Sequence, residues 1–248
     1  IRIPMPGVKS ATVLALANTG SRYETEKKQG IAHFFEHIVF KGTKNYPNAQ
    51  VLAGAIDAIG ADFNAFTSKE YTGYYVKSAS NHIATSLDVV SDMLLAPNIL
   101  QEDIEREKGV IIEEINMYED TPMNQVGNLF ENMIYQGSGL GHDILGTKET
   151  VSSITSEDFR DFLNTWYGLS NLVVIVAGDS KVVKSEKTLE LIKNYFAKPI
   201  ENRETKRKDT KALSHKEPVF SKQKLSVTYK KTEQAHLVMG WLGLERED

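Results

Sequence analysis

The sequence predicts an α+β fold with a mainly antiparallel sheet. Two observations carry this. Strand and helix patterns are mixed along the chain without a steady β-α-β rhythm, which argues against a doubly wound parallel sheet. The 248 residues, 41 % apolar and 25 % charged, suffice for one large domain or two small ones and rule out wholesale disorder.

The elements follow in order. Residues 8–17 are rich in Val, Thr and Ala and are bounded by Pro6-Gly7 and Asn18-Thr19-Gly20, so they read as a strand. A helix is expected at 26–40, ended by Lys41-Gly42, and a second at 48–59 with Gly60 as its C-cap. Two strands follow near 62–67 and 71–77. Ser80 or Asn81 can cap a helix that runs to Leu95, and Pro97 stops it. A long helix over 101–119 carries Ile104, Val110, Ile111, Ile115 and Tyr118 among many acids. Asp120-Thr121-Pro122 breaks it, and another helix follows to Tyr135.

Residues 136–146 hold four glycines and read as loop. Ser156 is expected to cap a helix to Trp166, with two acids in its first turn. Residues 172–177 read as a buried strand and 181–196 as a helix. The charge-dense stretch from 198 reads as a linker, and 225–230 and 235–243 as two final strands. The expected division is a first unit at 1–197, a charged linker at 198–224, and 225–248 as the opening strands of a truncated second domain or as strands added to the first sheet.

Composition narrows the chemistry. A net charge of −4 makes a general nucleic-acid binder a poor candidate. With no cysteine, disulfide scaffolds, thiolate metal sites and cysteine nucleophiles are excluded, so any metal must be held by His, Asp or Glu. The apolar run at 172–177 is far short of the roughly 20 residues that span a bilayer, so no transmembrane segment is expected. The chain opens with Ile1 rather than Met, as a trimmed piece would.

Within the first expected helix stand His33, Glu36 and His37. At roughly 100° per residue the two histidines lie one turn apart on one side, about 40° off in angle. Their ring nitrogens can meet on one divalent cation. Glu36 sits about 60° round from His33, near enough to take a proton from a water there without binding the metal. A catalytic zinc site wants a third ligand and an open fourth position. On the long acidic helix Glu107, Val110, Ile111, Glu114 and Tyr118 share a face, whereas Glu113 is turned about 100° away from Glu114 toward solvent. Glu114 is therefore the expected ligand and Glu107 its supporting carboxylate; the competing reading of Glu107 is a structural ion pair.

His33-x-x-Glu36-His37 is the inverted zincin motif. The offset from His37 to Glu114 (114 − 37 = 77) and the Glu107-x6-Glu114 pair resemble the superfamily of pitrilysin, insulin-degrading enzyme and mitochondrial processing peptidase. The segments TGSRYE at 19–24, HFFEHIVFKGT at 33–43, FNAFTSKEY at 63–71, the stretch 107–122 and ILGTKET at 144–150 resemble its bacterial processing-peptidase-like branch. The likeness covers the chain up to about Asp179 and, more loosely, to its end. Residues 166–171 lack the proline often found there, which bears on a turn rather than on the chemistry.

The resemblance implies a sheet with helices packed mostly on one face. It implies a zinc metalloendopeptidase acting on extended or unfolded peptides, with one zinc held by His33, His37 and Glu114. Glu36 would be the general base that activates the water, and Glu107 the carboxylate that supports the ligands from behind. Asn64, Ala65, Phe66 and Thr67 would form the edge strand that pairs with substrate; the competing reading is an internal strand. His82, His142, His215 and His236 match no ligand position. A second homologous domain or subunit would close the site, and a soluble bacterial setting, cytoplasmic or otherwise, is expected. The alternative function is a non-catalytic scaffold or peptide-binding subunit of a processing complex, against which the intact His33, Glu36, His37 and Glu114 set argues.

Overall fold

The computed structural model describes residues 1–197, 225–231 and 233–241. Five strands form one sheet: β1 (Arg2–Met5), β2 (Ser10–Ala17), β3 (Asp62–Thr67), β4 (Thr72–Ala79) and β5 (Leu172–Asp179). Their order is β1-β5-β2-β4-β3, which leaves β3 at one edge. β2–β4, β2–β5 and β3–β4 are antiparallel. The turn at Gly7 (φ +79°) reverses the chain between β1 and β2, and β5 inserts between them. Being antiparallel to β2, β5 is thereby parallel to β1, which gives the sheet its one parallel pair.

The nine α-helices of the described residues are α1 (Ile31–Ile38), α2 (Ala49–Asp57), α3 (Ile83–Leu95), α4 (Gln101–Asp120), α5 (Pro122–Ile134), α6 (Lys148–Ser153), α7 (Ser156–Trp166), α8 (Ser180–Lys184) and α9 (Glu186–Phe196). Alternation along β2 sets the core side: Ala11, Val13, Ala15 and Ala17 are fully buried, while Ser10, Thr12, Leu14 and Leu16 are half-buried. On the buried side Ser78 of β4 meets Ser86 of α3 (Oγ–Oγ 2.9 Å), and Tyr74 meets Tyr167, just past α7 (Oη–Oη 2.8 Å). Phe34 and Phe35 of α1 pack on Phe159, and Phe35 also on Phe162 and Tyr167, so the helix that carries the histidines is wedged into an aromatic core.

Several boundaries differ from the sequence reading. The helix expected from residue 26 starts at Ile31, because Gly30 (φ +88°) breaks it from a short 3₁₀ turn at Glu26–Lys28. α7 is capped by Thr155, not Ser156: Thr155 accepts from the Asp158 amide and Asp158 closes the capping box. The helix expected at 181–196 is split at Ser185, whose side chain caps α9. Val110 and Tyr118 are exposed rather than facing the core with Glu107, because the buried stripe of α4 is centred on Ile104, Ile111 and Ile115. The expected strands at 225–230 and 235–243 do not join the five-stranded sheet, and the described residues 225–231 and 233–241 carry no strand. Lys230 instead reaches Asp120 at the end of α4 (3.1 Å). The expected linker, His215 within it, and residues 242–243 lie outside the described residues.

Candidate metal centre

α1 presents its polar ridge to α4 because its other side is sealed by Phe34, Phe35 and Ile38, all fully buried. Its start is held in three ways. Glu24, itself buried, accepts from the amides of Gly30 (2.7 Å) and Ala32 (2.8 Å), satisfying two of the free donors of the first turn. Burial pushes the Glu24 carboxyl up to about 8, against these two backbone donors, which favour the ionised form. Gly30 lies so close to the loop at Leu145 that a β-carbon would sit 2.5 Å from the Leu145 carbonyl oxygen, and Thr150 donates to the Gln29 carbonyl (2.8 Å). The sequence reading had no role for Glu24; the only signal was its place in the TGSRYE segment.

The ligand atoms of His33, His37 and Glu114 all lie within 4.8 Å of one another. Glu114 Oε2 is 3.7 Å from Nε2 of each histidine. Those separations are too long for hydrogen bonds and suit donors about 2 Å from a common centre. His37 Nδ1 lies 3.0 Å from Glu107 Oε1, which fixes the ring with Nδ1–H toward the carboxylate and Nε2 free to ligate. His33, buried except for its edge, is lowered to about 3 by burial and by the neighbouring His37, so it is neutral at physiological pH as a metal ligand must be. Two imidazoles and one carboxylate form a donor set that fits zinc.

Glu107 is buried and accepts from two donors: the His37 ring on one oxygen and Lys41 Nζ on the other (2.6 Å). Burial alone would raise its carboxyl; the bonds from His37 and Lys41 outweigh that and hold it below the ordinary carboxylate value. Both expectations for Glu107 are compatible with this geometry: it forms an ion pair with Lys41 and also contacts the His37 ring. Lys41 was missed, though it continues the ridge one turn beyond His37.

Glu36 does not join the three ligand residues. Its Oε2 accepts from Thr67 Oγ1 (2.6 Å), and burial pushes its carboxyl above the ordinary value, a shift the Thr67 donor partly offsets. Thr67 ends the edge strand β3, whose Asn64 and Phe66 side chains are exposed and whose Ala65 is buried. The Ser68 amide donates to the Tyr71 carbonyl (2.9 Å), which makes 68 and 71 a hydrogen-bonded pair. By antiparallel alternation Phe63, Ala65 and Thr67 then turn their amides and carbonyls away from β4. The Ala65 amide agrees: it is met by the Asn64 side chain (2.9 Å). The strand is an edge, not an internal one. Of the remaining histidines, His142 is buried against the Ser21 carbonyl (3.2 Å) and Glu26 (3.3 Å), and His236 faces Gln234 (3.2 Å).

Residues 4–148, which contain every residue of this site, match the family model described as insulinase, peptidase family M16. Residues 153–248 match the peptidase M16 inactive domain, although β5 from that segment lies between β1 and β2. The chain is 38 % identical over 240 residues to the uncharacterized zinc protease YmxG of Bacillus subtilis, covering 97 % of this chain and 56 % of that protein. It is 36 % identical over 194 residues to the beta subunit of the mitochondrial-processing peptidase of Bos taurus, covering 78 % of this chain and 39 % of the subunit. A protease from Helicobacter pylori of known crystal structure superposes with a TM-score of 0.77 at 27 % identity, covering 89 % of this chain and 51 % of that one. The chain thus spans about half the length of the curated relatives it matches. No described helix is long and apolar enough to cross a membrane.

Proposed function

The chain belongs to the insulinase family, peptidase family M16, and from that premise we propose that it carries the catalytic centre of a zinc metalloendopeptidase acting on extended or unfolded peptides. The observation that carries the reading is the meeting of His33, His37 and Glu114 from two helices beside a separate, half-buried Glu36. His33, His37 and Glu114 would hold one zinc per chain. Zinc in such a site supplies Lewis acidity to a water and to the carbonyl it attacks.

The chain's own residues divide the remaining work. Glu36 takes the proton from the attacking water and returns it to the leaving amine; its raised carboxyl value brings it nearer the working pH of a general base. Glu107, kept ionised by Lys41, holds the His37 ring in its ligating orientation. The outward amides of Phe63 and Thr67 and the outward carbonyls of Phe63, Ala65 and Thr67 receive an extended peptide as an added strand, with Asn64 and Phe66 presenting side chains along it. Residues 1–197 would form the catalytic unit, with 198–224 leading toward a second, homologous domain or subunit that closes the site. The solved first half of the periplasmic protease PqqL from Escherichia coli superposes with a TM-score of 0.67 at 28 % identity; this chain covers 41 % of it and would correspond to one of two units within that half.

The test pairs elemental analysis with hydrolysis of a quenched, unstructured peptide by the full-length protein. About one zinc per chain, lost together with turnover in His33→Ala, is expected. Full zinc content in His33→Ala, or binding of peptide without turnover by the zinc-loaded parent, would refute the reading; the second result would favour the non-catalytic peptide-binding subunit.

A further inference from the structure

We propose that Thr67 is a positioning residue for the general base, so that the strand which receives the peptide also sets the carboxylate that acts on it; this rests on the reading of Glu36 as that base. Thr67 has two directions. Its backbone amide and carbonyl face the open edge of β3, as the alternation from the Ser68–Tyr71 pair requires. Its side chain faces inward with Ala65, toward α1, and donates to Glu36 Oε2 at 2.6 Å. Among the described residues Glu36 Oε1 takes no hydrogen bond, so the carboxylate is held by one oxygen and left open for proton transfer at the other.

The edge also ends at this residue. The carbonyls of Ser68 and Lys69 are taken by the amides of Ser21 (3.3 Å) and Arg22 (2.8 Å), and the Arg22 guanidinium pairs with Glu70. The free edge of β3 therefore stops where its side chain touches the base. A peptide paired at Thr67 restrains that residue's backbone and, with it, the direction of Oγ1. The bond joins a neutral donor to a partly buried carboxylate, the stronger class of hydrogen bond, and a free carboxylate rotor would spend only part of its time aimed at the water.

Two substitutions in the full-length protein separate the hydroxyl from the shape. Thr67→Val keeps the branched outline and strand preference and removes the donor; Thr67→Ser keeps the donor and removes a methyl. With zinc content unchanged, Thr67→Val is expected to lower kcat by about 10–100-fold with KM within about twofold, while Thr67→Ser stays within about threefold of the parent kcat. Parental kcat in Thr67→Val, a rise in KM alone, or equal losses in the Val and Ser variants would overturn the proposal. The underlying reading fails differently. If the parent has no turnover, or if Glu36→Gln leaves it intact, Glu36 is not the base and this proposal falls with it; turnover that Glu36→Gln abolishes and Thr67→Val spares refutes the role of Thr67 alone.

Discussion

Replacing Glu107 by Gln changes one oxygen and one charge in a side chain that is buried and bonded at both ends. The volume is kept, so no cavity term arises. The amide oxygen can still accept from one of the two partners, and the amide nitrogen repels the other. One charge-assisted bond is lost, worth about 1.5–3 kcal/mol, either at His37 (3.0 Å) or at Lys41 (2.6 Å). If the loss falls on His37, its ring is released from the ligating orientation, and zinc affinity drops by roughly 10–100-fold, which is about 1.4–2.7 kcal/mol of binding free energy. If it falls on Lys41, the ammonium turns to solvent, since that side chain is already 30 % exposed, and affinity falls less. Lys41→Met separates the two routes: it leaves Glu107 bonded to His37 alone and should weaken zinc by less than Glu107→Gln. The assay is zinc competition against a chelator of known affinity, with thermal unfolding of the apoprotein as a control for the fold. Glu107→Leu removes both bonds at once; a zinc affinity in that variant within twofold of the parent, with the fold intact, would show that the His37–Glu107 contact does not orient the ligand, and would leave Glu107 as a structural ion pair only.

Burial lowers His33 from 6.5 to about 3, so between those values the unfolded chain binds a proton that the folded chain refuses, and apoprotein stability should fall as pH drops from 6.5, by at most about 1.4 kcal/mol per unit. Urea unfolding at pH 7 and pH 5 should show a smaller drop in His33→Leu than in the parent; equal drops would mean that His33 titrates normally. Gly30→Ala forces a side chain into φ +88° and against the Leu145 carbonyl, and should cost about 2 kcal/mol or more and weaken zinc binding; an unchanged melting temperature would contradict the tight socket at the start of α1. This chain alone should hydrolyse peptide more slowly than the full-length protein at equal zinc occupancy, because β3 supplies pairing from one side only; equal rates would mean that the catalytic unit is already complete.

The parts of the site that were legible are those governed by the helical period. His33 and His37 fall one turn apart on α1, and Glu107 and Glu114 two turns apart on α4, so periodicity alone aligned each pair. Val110, at the same nominal spacing, is exposed because the period gives relative angles and not which line of the helix meets its neighbours. Contacts between elements left weaker traces. Nothing in the sequence ties Thr67 to Glu36, 31 residues apart, and that contact follows from α1 lying across the inner side of β3. β1, four residues long and without a buried residue, gave no alternation to read, and its parallel pairing exists only because β5 returns from far along the chain to lie beside it. The start of α1 at Ile31 was readable in retrospect, since Gly30 stands where a left-handed residue is needed against a close loop.

The central claim is that three side chains hold the metal while a fourth, Glu36, moves the proton. Turnover of an unstructured peptide by Glu36→Gln, measured at zinc occupancy equal to the parent's, tests it most directly. The carboxamide preserves the bond from Thr67 and the three ligands but cannot accept the proton. A loss of at least about 100-fold in kcat with zinc fully retained is the expected result. Undiminished turnover, or loss of the zinc itself, would contradict the division of roles.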